Sequence, residues 1–398
     1  MRSNISRVGV HEHFSENACN FLEEVYAYIF KKLKPKSIDT KILRQFRRIN
    51  IVDSSSWKIP EKLQKVFPGF NKAGCKIQMM LEYKTASMNL LDITAENYPD
   101  QQYSKVLDKH IESNDLTIFD LGYSISITLR KIEQKKGFFI CRLNWGIMKL
   151  YLKEEEQFEE IDTIKVLKKL KGRESIIEID CYVGSKENKQ KVRLFAIEAP
   201  EEVANNRRRK LNKAAKKRGY KVAKRSSELC GWSFFITNIP EKKKVTAREI
   251  IALYKIRWDI EIFFKQLKSI LNIHRTEVKS NENRFKCEVL GKSILAMFIS
   301  YCYSTARFYS WEKYQEISFE KTVKYFKRNI GTLLLCLQGS GYKILKHIRQ
   351  VLSDIIRTCK KVRQKSRKSS FEILRTQLIY EDLNLMKITQ VKLAKRPA

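Results

Sequence analysis

The sequence predicts a mixed α/β protein that carries a large positive charge, and three observations lead there. Short apolar runs of strand type come first in the chain, and helical periodicity is interleaved and then dominant. Hydrophobic residues make up 43% of the 398 residues, enough for a sizeable core. Lysine and arginine number 79 against 44 aspartates and glutamates, a formal net charge of +35. Such an excess costs self-repulsion in the compact state, so it points to a polyanionic partner, either nucleic acid or an anionic membrane surface.

Taken in order, residues 18 to 48 show apolar positions at three- and four-residue spacing with Lys and Arg between them. They predict two basic helices separated by Pro35. Strand-like runs follow: INIVD at 49 to 53, CKIQMMLEY at 75 to 83 and SMNLLDI at 87 to 93. After a helix comes LTIFD at 116 to 120, then a helix over 124 to 135 and a buried strand, GFFICRL, at 137 to 143. Residues 150 to 230 read as a separate block, in which SIIEIDCYVG and KVRLFAIEA form a two-stranded ribbon. That block ends in a run from Arg207 to Arg225 with eleven basic residues and no acidic one, either a phosphate-attracting segment or a solvated basic helix. GWSFFITNIP resumes a buried strand, Val245 to Ile270 reads as one long helix, and the chain stays helical with basic faces to about Lys361.

Several classes are set aside at this stage. The longest charge-poor stretch, between Lys292 and Arg307, is shorter than the ~20 apolar residues of a spanning helix, so no membrane association is expected. The N-terminus shows no apolar block followed by small residues, which places the protein in the cytoplasm, on the nucleoid. Nine cysteines are scattered with no C-x-x-C pair, which fits reduced, buried thiols better than structural zinc.

Chemistry concentrates in the predicted helix over YKIRWDIEIFFKQLK. At ~100° per residue, and with Glu261 at zero, Tyr254, Arg257 and Lys268 fall at roughly +20°, −40° and −20°, one narrow polar stripe. Leu253, Ile256, Ile260, Phe263 and Leu267 gather on another face that can pack onto a sheet. Arg forks two phosphate oxygens, Lys adds a point charge, Tyr donates a hydrogen bond, and Glu can bind a divalent metal. By spacing alone, an exposed amphipathic helix with an incidental Arg257 to Glu261 pair, worth ~0.3 to 0.5 kcal/mol, fits equally. Two further carboxylates tip the balance, because Asp53 closes INIVD and Asp120 closes LTIFD. Acids at the ends of neighbouring strands can join a helix-borne Glu around two metal ions ~3.5 to 4 Å apart.

These residues resemble the signature of the bacterial insertion-sequence transposases of the DDE class, in the group named after insertion sequence four. The pattern of Tyr, two residues, Arg, three residues, Glu, six residues, Lys is met at Tyr254, Arg257, Glu261 and Lys268. A Thr-Asn-x-Pro strand end precedes it at Thr237, Asn238 and Pro240. Asp53 stands where the family has its first Asp, and Asp120-x-Gly122-Tyr123 where it has D-x-G-Y, with Leu121 replacing an Arg common in relatives. The resemblance covers approximately residues 40 to 305.

The resemblance implies an RNase H-like mixed-sheet catalytic domain interrupted by an insertion, with helical N- and C-terminal regions. The chain then divides into a basic helical N-terminal region at 1–48, a candidate for end-DNA recognition on position and charge alone, a first catalytic part at 49–150, an insertion with the ribbon and basic segment at 151–229, a catalytic completion at 230–306, and a basic helical C-terminal region at 307–398. Asp53, Asp120 and Glu261 would be catalytic and hold two Mg²⁺ ions, with Mn²⁺ able to substitute. Tyr254, Arg257 and Lys268 would bind DNA phosphate, and Trp232 is a candidate for stacking on a base or for the core. Arg207, Arg208, Arg209, Lys210, Lys213, Lys216, Lys217 and Arg218 are candidates for non-specific DNA contacts, as is the run from Arg357 to Lys368. The implied partners are double-stranded DNA, as element inverted-repeat ends and as target, and a second copy in a synaptic homodimer. The implied reaction is Mg²⁺-dependent cut-and-paste transposition through hairpin ends. The rivals are a catalytically silent or domesticated DNA-binding protein and an RNase H-like nuclease that does not join strands.

Overall fold

A computed structural model describes residues 9, 12–103, 106–145, 148–170, 175–184, 189–243, 245–337, 339–362, 369, 372, 374 and 387–390. Along the chain the main elements are α1 (Glu16–Lys32), β1 (Ile49–Lys58), β2 (Gly74–Glu82), β3 (Ser87–Ala95), β4 (Leu116–Phe119), α2 (Ser126–Gln134) and β5 (Phe138–Arg142). Next come β6 (Lys149–Glu154), β7 (Gln157–Glu160), α3 (Thr163–Leu170), β8 (Ser175–Gly184), β9 (Lys189–Glu198), α4 (Glu201–Lys217), α5 (Lys224–Leu229) and β10 (Trp232–Thr237). The last are α6 (Ala247–Lys255), α7 (Trp258–Ser269), α8 (Glu282–Trp311), α9 (Phe319–Leu337), α10 (Gly341–Thr358) and β11 (Lys387–Gln390). The mixed α/β class expected from the sequence is what forms, in two compact units.

The first unit comprises 1–43, 48–99 and 258–367. Its strands β1, β2 and β3 form an antiparallel meander, with Asn50 opposite Glu82 and Cys75 opposite Ala95. Every residue of β2 from Gly74 to Leu81 is buried, with β1 and β3 paired on either side of it. Helix α7 packs on β1, and α8 packs on β3, α1 and α10. Helix α8 is long and apolar enough by composition to cross a bilayer, yet much of it is interior: Phe285, Leu290, Met297, Ile299 and Ala306 are all buried. Ser300 and Arg307 on the same helix donate to the Ala86 and Tyr83 carbonyls at the β2–β3 turn.

The second unit comprises 44–47, 100–257 and 368–398. Strands β4 and β5 are parallel and are connected through α2, which packs on β5. From β5 the sheet runs antiparallel through β10, β9, β8, β6 and β7. Residues 150 to 230 therefore extend this unit's sheet by pairing β9 with β10, where the sequence suggested a separate block. The first unit thus carries an antiparallel meander, and the second a parallel pair joined through a helix within a larger antiparallel sheet.

Two of the expected helices form differently from the sequence reading. The second N-terminal helix does not form: after α1 the chain makes only a short 3₁₀ turn at Leu43–Gln45 before β1 begins. Its apolar residues Ile38, Leu43 and Phe46 are buried singly, so helix-like spacing served packing without a helix. The second difference is that the helix expected over 245 to 270 forms as two, α6 and α7.

Candidate active site

In the first unit the site begins on β1. Residues 49 to 52 are fully buried, and the next four are half-buried, which makes Asp53 the first acid to leave the core. The strand continues to Lys58, so Asp53 lies within it instead of closing it as the sequence suggested. Its Oδ1 accepts the Ser54 amide at 2.8 Å. Helix α7 buries Ile260, Phe263, Phe264 and Leu267, with Phe263 stacked on Phe319 at 4.7 Å. That amphipathic face turns Glu261 into a half-buried position in the first helical turn, where the helix dipole favours an acid. Further along the helix, Lys268 Nζ donates to the Ser56 carbonyl of β1 at 2.9 Å and lies 6.0 Å from the centre of the Trp57 ring. Burial pulls the Lys268 ammonium below the ordinary lysine range.

In the second unit Asp120 follows the fully buried strand β4 in an extended conformation. The D-x-G-Y segment has a physical reason at each point. Gly122 passes Asp100 so closely that an added Cβ would come within 3.2 Å of its Oδ2, and Tyr123 is buried with its ring edge on Phe119 at 6.5 Å. Leu121 starts the 3₁₀ turn that runs to Tyr123. The Thr-Asn-x-Pro segment fastens β10 to β5. Thr237 Oγ1 donates to the Phe139 carbonyl at 2.5 Å, while Asn238 accepts the Phe139 amide at 2.8 Å and donates to the Gly137 carbonyl at 3.0 Å.

Helix α6 starts with a reciprocal capping box between Thr246 and Glu249 and packs on β5. This brings Tyr254 Oη to 3.3 Å from Asp120 Oδ1, with Phe235 edge-on to the Tyr254 ring at 4.9 Å. Burial and the negative charge of Asp120 both push the Tyr254 hydroxyl well above its ordinary range, so it remains a proton donor. The Arg257 guanidinium lies 5.8 Å from the same ring.

Between α6 and α7, Ile256 and Arg257 form a turn closed by i to i+3 hydrogen bonds to Leu253 and Tyr254, at 3.2 and 3.1 Å. Tyr254, Arg257, Glu261 and Lys268, expected on a single helix, are therefore divided between two helices and the turn that joins them. No glycine or proline marks the break, so the sequence carries no local sign of it.

The remaining candidates divide by exposure. Trp232 opens β10 half-buried, paired with Glu198. Its carbonyl accepts Arg207 Nη1 at 2.8 Å, and the same guanidinium reaches the Cys230 carbonyl and Ser233 Oγ. Burial lowers the Arg207 pKa. Arg208 is likewise engaged, with Ser227, Glu201 and Asn205. Arg209, Lys210, Lys213, Lys216, Lys217 and Arg218 are exposed on α4 and just after it. Of the run from Arg357 to Lys368, the part from 363 lies outside the described residues. Sequence reasoning missed Trp57 and Ser56, which the fold sets against Lys268; a tryptophan four residues after an acid carries no periodic signal.

Three carboxylates are hard oxygen donors of the kind Mg²⁺ takes, without thiolate or imidazole among them. Among the described residues, no group of three or more His, Cys, Asp or Glu side chains is gathered closely enough to hold a metal ion.

The chain is similar to known proteins over most of its length. A family model described as the transposase DDE domain matches residues 44–298. The transposase for insertion sequence element IS231E of Bacillus thuringiensis subsp. finitimus is 26% identical over 96% of this chain and 83% of its own. The transposase for insertion sequence element IS1151 of Clostridium perfringens is 27% identical over 92% of this chain and 80% of its own. A cryo-EM structure of the piggyBac transposase synaptic complex with hairpin DNA aligns at a TM-score of 0.39 and 11% identity, over 91% of this chain and 66% of that one.

Proposed function

The chain belongs to the family defined by the transposase DDE domain, and from that membership we propose that it excises and inserts an insertion sequence by Mg²⁺-dependent cut-and-paste chemistry on DNA. The observation that carries this furthest is the match of that domain to residues 44–298, which contains Asp53, Asp120, Tyr254, Arg257, Glu261 and Lys268. Asp53, Asp120 and Glu261 would hold two Mg²⁺ ions, or Mn²⁺ in their place. Such a pair, when bound, activates a water or a 3′-hydroxyl and stabilises the leaving oxygen.

The chain's own groups supply orientation. Lys268, fixed by the Ser56 carbonyl, offers a positive charge to a phosphate beside the scissile bond. Arg257 adds a forked donor, and Tyr254, kept protonated, donates a hydrogen bond to Asp120 or to a phosphate oxygen. In the proposed sequence a nick at the element end frees a 3′-hydroxyl. This hydroxyl attacks the opposite strand to give a hairpin and release the flank, hydrolysis reopens the hairpin, and the end joins target DNA. Two copies of the chain hold two ends on the nucleoid, the N-terminal region at 1–48 reads the end repeats, and the basic regions at 151–229 and 307–398 hold phosphates.

The test uses the purified full chain and a duplex carrying the inverted repeat that borders its own gene. Glu261→Gln retains binding of that duplex and loses Mg²⁺-dependent cleavage; cleavage at the parental rate overturns the catalytic assignment. Strand transfer into a plasmid separates a transposase from a nuclease, and end-labelled hairpins detected during the reaction support the hairpin route.

A further inference from the structure

We propose that Trp57 is a positioning residue for Lys268, its indole face and the neighbouring Ser56 carbonyl together fixing the ammonium that meets a DNA phosphate. The proposal rests on the reading of Lys268 as a phosphate ligand, and all the groups it uses lie in the first unit.

Trp57 is buried on β1, at 8% exposure, one residue beyond Ser56. Its Nε1 is buried with no hydrogen-bond partner among the described residues, an uncommon and costly state for an indole N–H. Phenylalanine would fill much of the same space without that cost, so packing alone does not explain tryptophan here. What indole offers beyond phenyl is the stronger negative face for a cation, and Lys268 Nζ lies 6.0 Å from the ring centre. Lysine has a flexible four-carbon stem and carries a point charge without Arg's fork, so it needs its surroundings to set direction. The Ser56 carbonyl at 2.9 Å sets one donor direction, and the ring limits where the stem can swing. Neither partner carries charge, so the ammonium remains available to an anion. Lys268 is half-buried, so one side of it still meets solvent.

Trp57→Phe separates this role from a structural one. Removing the unpartnered N–H leaves the melting temperature of the full chain unchanged or raised. In ¹³C-methylated protein without DNA, the Lys268 methyl signal, assigned from its absence in Lys268→Ala, moves toward the position of an exposed lysine. Cleavage of the inverted-repeat duplex falls about tenfold in Trp57→Phe and about 10²-fold in Lys268→Ala. The double variant is no slower than Lys268→Ala alone, because both changes act on one group. An unmoved Lys268 signal, or a cleavage loss that tracks a lowered melting temperature, overturns the proposal. If Lys268→Ala cleaves normally while Trp57→Phe shifts the Lys268 signal, the phosphate role of Lys268 fails and its positioning by Trp57 stands.

Discussion

Each compact unit holds part of the signature, and the two parts are fixed by neutral groups acting on opposite charges. In the first unit a cation is held: Lys268 donates to the Ser56 carbonyl and lies over Trp57. In the second an anion is held: Asp120 accepts from the Tyr254 hydroxyl. An ion pair would orient either group equally well, but it would also neutralise it. A carbonyl, an indole face and a phenol orient without cancelling charge, which suits the phosphate role proposed for Lys268 and the metal role proposed for Asp120.

The largest effect falls on the acids themselves. Asp53→Asn, Asp120→Asn and Glu261→Gln each remove one charge from the proposed metal ligands, and cleavage of the end duplex should drop by at least about 10³-fold with DNA binding retained. Gel-resolved cleavage in Mg²⁺ and in Mn²⁺ measures this. If Asp53 and Glu261 in the first unit are indispensable and Asp120 in the second is not, the two halves are not partners in one chemistry. Next in size is Lys268→Ala, at about 10²-fold, with circular dichroism and melting temperature unchanged. A loss in both activity and stability would turn the fixed cation into a structural one.

Much of this was legible in the sequence, and for physical reasons. Strand β1, the parallel pair β4 and β5, and the ribbon β8 and β9 are apolar runs bounded by turn residues, a signal that survives without tertiary knowledge. The Tyr-Arg-Glu-Lys set stands out because its spacing is fixed, and Asp53 and Asp120 because each ends an apolar run of strand type. What stayed hidden depends on contacts between distant residues. The break at Ile256 and Arg257 has no Gly or Pro to announce it, and the turn from Ile38 to Phe46 buries helix-spaced residues without forming a helix. The Lys268 contact with Ser56 spans 212 residues, and nothing in the local sequence marks it. Arg207 and Arg208 read as two more cations in a basic run, yet carbonyls of distant segments hold them.

Tyr254→Phe sharpens the other side of the comparison. It deletes the hydroxyl on Asp120 and keeps the ring that packs on Phe235. A hydrogen bond to a charged group is worth ~1.5 to 3 kcal/mol, and at 3.3 Å this one belongs at the low end, so a cleavage loss of about tenfold is expected. The loss should appear in kcat more than in DNA affinity, because an acid left free to rotate is misplaced without losing its charge. Single-turnover kinetics separate the two.

The smallest effect comes from charges that nothing fixes. Lys210, Lys213, Lys216 and Lys217 are exposed on α4, and no hydrogen bond or ion pair ties them among the described residues. Replacing all four with Gln should weaken DNA binding for every sequence alike. The slope of log affinity against log salt should become shallower by about 0.9 for each phosphate that is no longer neutralised. Cleavage at saturating protein should stay within about twofold, since a field acts on encounter and leaves the reacting atoms where they are. Arg207→Gln on the same helix should do the reverse, leaving the salt slope nearly intact and lowering the melting temperature, because it strips donors from the Cys230 and Trp232 carbonyls and from Ser233. Were the four-lysine variant to match Lys268→Ala in cleavage loss, diffuse and fixed cations would act alike, and Lys268 would owe nothing to the groups that hold it.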